Sequence, residues 1–122
     1  MLPEVHYQRY REFKDALLRL QERVDAPSVD KTALKAAAGD LQHVFQEQIL
    51  PLPMDALDPA DVSRVQSYRT EMHKQQRLLG NDALFLLSAR QPTTVQQRLD
   101  AIRDRLQRLI RYCDALLEVN NS

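Results

Sequence analysis

Large apolar residues along this chain recur in steps of three and four, the spacing that lays one stripe down a helix. Tyr10, Phe13, Leu17, Leu20 and Val24 keep that rhythm, while Arg9, Arg11, Glu12, Lys14, Asp15, Arg19, Glu22 and Arg23 fill the other faces. A first helix is therefore expected over about 4–25, with Pro27 stopping it. Leu34, Ala38, Leu41, Phe45 and Ile49 predict a second over about 30–49, capped by Ser28 or Asp30. Val65, Tyr68, Met72, Leu79, Ala83 and Leu86 predict a long third helix over about 59–90, opened by Asp58 and Pro59 and closed before Pro92. Val95, Leu99, Ile102, Leu106, Leu109, Cys113 and Leu116 form the most regular stripe and predict a fourth helix over about 94–117. Thr93 or Thr94, each with a glutamine three residues on, offers it a capping box. The pattern predicts an all-α fold: an antiparallel four-helix bundle with one long third helix, in a single domain over residues 1–122.

Three places depart from simple patterning. Gly39 follows three alanines in the second helix, which predicts close approach of a neighbouring helix. Gly80-Asn81-Asp82 could end one helix and cap another, but the apolar phase from Leu79 to Leu86 runs through without slipping, so a continuous helix is expected. Residues 50–57, LPLPMDAL, hold two prolines among apolar residues and should fold over one end of the bundle as a lid. The other end carries Ala83-Leu84-Phe85-Leu86-Leu87, an apolar run that wraps most of the way round a helix. The loop cannot reach it there. Two readings stand side by side: burial against the fourth helix and the turn at Ala26 to Val29, or an interface with Leu84, Phe85 and Leu87 as partner-binding residues.

Composition narrows the picture. The chain has 122 residues, 17 Lys plus Arg against 17 Asp plus Glu, two glycines and no tryptophan. So few turn residues argue against an all-β fold. The balanced charge gives no case for nucleic acid or an anionic membrane, and no apolar run approaches the roughly 18 residues a membrane span needs. The first residues, MLPEVHYQRYREF, lack the pattern of a signal peptide, and the single cysteine allows no internal disulfide, so a cytoplasmic protein is expected.

No catalytic, metal or cofactor-binding residues are expected. His43 and Glu47 sit four apart, which supplies two ligands at most, and His6 and His73 have no such partner. There is no nucleophile elbow and no glycine-rich phosphate loop. Cys113 lies on the core stripe of the fourth helix, where a small buried residue is the expected role. Tyr10 and Tyr68 lie on core stripes, where a hydroxyl finds a buried partner.

Three segments carry a family likeness: VFQEQILPL at 44–52, SRVQSYRTEMHKQQRLLGNDALFLLSARQPTT at 63–94, and RLDAIRDRLQRLIRYCDALL at 98–117. In these, and in their order, the chain resembles the PatD family, small cyanobacterial proteins that control the frequency of heterocyst differentiation. The resemblance covers about residues 44–117 and rests on structural signatures. It implies a non-enzymatic regulator of cell differentiation linked to the division protein FtsZ and its assembly. A homodimer is also compatible with the apolar run. The alternative from another class is a helical adaptor or export chaperone, against which the unbroken stripe of the fourth helix counts.

Overall fold

The computed structural model describes residues 2–119, and the chain forms four α-helices with no strand among the described residues. They are α1 (Glu4–Val24), α2 (Lys31–Val44), α3 (Pro59–Ser88) and α4 (Pro92–Val119). Each helix packs on its neighbours in sequence, and α4 closes the ring on α1. Cross-helix contacts show the directions. Lys14 of α1 pairs with Asp114 of α4, and further along α1 its end meets Arg103, nearer the start of α4. Tyr68 meets Tyr112, and Asp82 meets Arg98, so α3 and α4 also run oppositely. Phe45, just past the end of α2, lies beside His73 of α3, while Lys31 at the start of α2 reaches Ala89 at the end of α3, so these two run oppositely as well. The result is an antiparallel four-helix bundle.

The stripes predicted for α1 and α4 are the ones that go inside. Tyr10, Phe13, Leu17, Leu20 and Val24 meet Leu99, Ile102, Leu106, Leu109, Cys113 and Leu116 in one core. Phe13 and Phe45 pack at 5.6 Å between ring centroids, tilted by 52°. Asp30 is the cap of α2, its Oδ1 accepting from the Ala33 backbone N–H at 3.0 Å. Asp58 holds the N-cap position of α3 without a capping hydrogen bond, and Pro59 fills the first helical position.

Several boundaries and placements differ from expectation. α2 does not run on as a regular helix to Ile49: Phe45–Ile49 widens into a π turn, closed by the Leu50 N–H donating to the Phe45 carbonyl at 3.0 Å. Phe45 and Ile49 both stay in the core across the wide turn. α3 ends at Ser88 because Ala89 turns extended, with φ −72° and ψ 131°. α4 starts at Pro92, not at 94: proline's missing N–H costs nothing there, and the Val95 N–H reaches the Gln91 carbonyl at 2.9 Å. Thr93 and Thr94 therefore lie inside the helix. α3 is continuous through Gly80.

Gly39 does not serve close packing. A Cβ built there would meet nothing within 4 Å. Tyr68 is only half buried, against Tyr112 at 5.8 Å, and the core position on that turn belongs to Arg69. The loop is a partial lid: Leu52 and Leu57 join the core, a short 3-10 turn forms at Met54–Ala56, and Leu50 stays exposed.

Candidate partner-docking face

The apolar run on the last turns of α3 divides by helical phase. Ala83 and Leu86 continue the stripe of Val65, Met72 and Leu79 into the core. Leu84, Phe85 and Leu87 point the other way and are 51%, 50% and 40% exposed. About half of each side chain stays open, and Phe85 is covered in part by Arg98 of α4. Three half-exposed large side chains within one turn leave an apolar band round the outer side of α3, whereas an isolated exposed leucine would mean little.

Phe85 has a charged neighbour on α4. The Arg98 guanidinium of α4 lies over the Phe85 ring, 4.8 Å from its centroid. The same guanidinium faces Asp82, with Nη1 3.6 Å from Oδ1, and Arg105 Nε stands 3.5 Å from Asp82 Oδ2. These are ion-pair distances, and neither Asp82 Oδ2 nor Arg105 Nε has a hydrogen-bond partner among the described residues. Arg105 reaches on through Nη1 to Gln75 Oε1 at 3.4 Å. A nearly buried carboxylate between two guanidiniums thus fixes the α3–α4 seam behind Phe85. On the other flank Lys31 Nζ donates to the Ala89 carbonyl at 2.6 Å, which satisfies an open carbonyl at the end of α3 and places a cation at its negative pole.

The opposite end of the bundle holds the other polar cluster. Arg69 is 8% exposed, donating from Nε to the Tyr10 hydroxyl at 2.9 Å and from Nη1 to the Leu52 carbonyl at 3.3 Å, while Nη2 has no hydrogen-bond partner among the described residues. The His6 imidazole is fully buried, and among the described residues neither nitrogen has a hydrogen-bond partner. Burial first, and then the Arg69 charge, hold its pKa below the ordinary histidine value, against a weaker opposite pull from the Pro53 carbonyl. Burial likewise raises the Tyr10 hydroxyl pKa, although the Arg69 charge and hydrogen bond act the other way. This cluster clamps the loop over the core.

No family model, curated protein or solved structure matches the chain. Among the described residues no group of three or more His, Cys, Asp or Glu could hold a metal ion. His43 Nε2 lies 3.0 Å from Glu47 Oε1, an exposed pair on α2. Cys113 is fully buried and its thiol is pushed up to about 12 by burial, then by the Asp114 charge. No helix of the described residues is long and apolar enough to cross a membrane.

Patterning marked Leu84, Phe85 and Leu87 and missed their support. Asp82 and Arg98 are charged, and charged residues are assigned to outer faces by default. A signal for Asp82 was present: it stands three residues after Leu79 and four before Leu86, beside the buried stripe.

Proposed function

We propose that this protein is a non-enzymatic regulator that acts by docking a partner protein on the face formed by Leu84, Phe85 and Leu87. The observation that carries the reading is that three large apolar side chains within one turn of α3 are left about half exposed, whereas the other exposed large apolar residues, Val5, Leu18 and Leu50, stand singly. Such a surface costs solubility and contributes nothing to the fold of the lone chain. The resemblance of residues 44–117 to the PatD family supplies the partner and the output. The partner is the division protein FtsZ, and the output is control of division and, in a heterocyst-forming cell, of how often heterocysts differentiate. The core stripe of α4 is wholly engaged, which leaves it unsuited to the mobile C-terminal helix of an export chaperone.

The test is FtsZ assembly followed by light scattering and pelleting, with and without the protein. The wild type is expected to change polymer mass and to pellet with it, while Phe85→Glu, folded by circular dichroism, should do neither. Unchanged FtsZ assembly with wild-type protein overturns the reading.

A further inference from the structure

The docking face continues into a groove of about 300 Å³ between α2 and α3, and its lining says what fits it. Both glycines of the chain stand there, Gly39 on α2 and Gly80 on α3. Neither adopts a left-handed backbone. A Cβ at Gly39 would meet nothing within 4 Å, and one at Gly80 would meet only Gln42 Oε1 at 3.9 Å. Glycine weakens a helix interior relative to alanine. Nothing inside the folded chain asks for either residue. Together they leave bare backbone on the two walls of one groove, open to close approach by an outside chain.

Charge around the groove is one-sided. Lys35 and Arg77 line it, Lys74 lies one turn before Arg77, and none of the three makes an ion pair among the described residues. From Met72 to Gln91 the single acid is Asp82, and it is turned inward to Arg98 and Arg105. Asp40, beside Gly39, lines the other groove, between α1 and α2, with Arg19 and Arg23. In a chain with 17 residues of each sign this is a local basic field next to an exposed apolar ring.

We infer that the groove binds an acidic amphipathic helix of a partner protein. Its apolar side chains meet Leu84 and the ring beyond, and its carboxylates meet Lys35 and Arg77. The inference rests on the docking reading of Leu84, Phe85 and Leu87 and adds the partner's chemistry. A second copy of this chain suits the face poorly, because a two-fold contact there sets basic side chains against basic side chains. An anionic bilayer would also attract a basic apolar surface. A concave groove walled by glycines fits a rod better than a plane.

The probe is a phage-displayed library of random peptides of about 16 residues, four or so helical turns, panned against the whole chain. Enriched peptides are expected to carry Asp or Glu beside an apolar i, i+4, i+7 stripe. A fluorescein-labelled copy of the commonest peptide, followed by anisotropy, should bind about tenfold or more weakly to Lys35→Glu and to Arg77→Glu, as for reversal of a charge facing a carboxylate. Gly39→Leu should block binding similarly while keeping its helicity and keeping or raising its melting temperature, since leucine favours the helix. Enriched peptides without acidic bias, or binding indifferent to positions 35, 39 and 77, overturn the inference. If such binding is still lost in Phe85→Glu, the docking face stands and only its acidic occupant falls; if Phe85→Glu binds as well, the docking reading falls too. Flotation with phosphatidylglycerol and phosphatidylcholine vesicles is the second arm. Vesicle binding with no enriched peptide replaces the helix by a membrane surface and overturns the inference.

Discussion

At the scale of single residues, the buried polar groups set how this protein answers to pH and to reagents. In an unfolded chain the His6 imidazole titrates near 6.5, and folding holds it lower. The unfolded state therefore takes up the proton first. His6 costs no stability of this kind above about pH 6.5, and stability falls as pH drops through that value toward the folded pKa. The melting temperature is expected to fall between about pH 7 and pH 5, and His6→Leu should remove part of that fall; equal pH profiles for the two proteins would sink the account. Cys113, pushed up to about 12 and fully buried, should stay silent to Ellman's reagent until denaturant opens the bundle. Tyr10→Phe would leave Arg69 Nε buried without an acceptor and should cost about 1–3 kcal/mol in urea titrations. A part of this was legible. His6 stands four residues before Tyr10, and Arg69 falls between Val65 and Met72 at steps of four and three, so both sit on the stripes. Their polarity hid them, because a charge is assumed to face water unless a partner is known. The partners, a tyrosine hydroxyl 59 residues away and a loop carbonyl, are tertiary facts.

At the scale of elements, apolar steps and prolines located all four helices, because helix periodicity and proline sterics act within a few residues. Continuity of α3 through Gly80 was legible for the same reason: the phase from Leu79 to Ala83 to Leu86 never slips. What escaped was what depends on neighbours. The widening at Phe45–Ile49 leaves no mark in the apolar steps, since residues four apart share a face in a regular helix too, and the open space around Gly39 depends on where α3 lies. Both glycines make a direct prediction. Since neither an unusual backbone nor a close contact needs them, Gly39→Ala and Gly80→Ala should each stabilise the fold by up to about 1 kcal/mol, read as a higher urea midpoint at unchanged slope. Destabilisation by either would mean that the helices approach more closely than the structure has them.

At the scale of the whole molecule, antiparallel neighbours and a closed ring of contacts follow from four stripes and short connections. The sequence pattern left the apolar run of α3 open between core and interface, since one residue's exposure depends on how far the other helices extend. The fold divides the run, with Ala83 and Leu86 inside and Leu84, Phe85 and Leu87 outside. We propose this outer half as a docking face for another protein. Sedimentation velocity of the protein with FtsZ, for wild type and Phe85→Glu, tests it most directly. The ring of Phe85 is half exposed and its main partner is Arg98, so the substitution should cost no more than about 1 kcal/mol of stability and leave a folded chain. The account predicts that wild type sediments as a complex with FtsZ and that folded Phe85→Glu sediments alone. Co-sedimentation of Phe85→Glu as strong as that of wild type, or a wild type that ignores FtsZ, would contradict it.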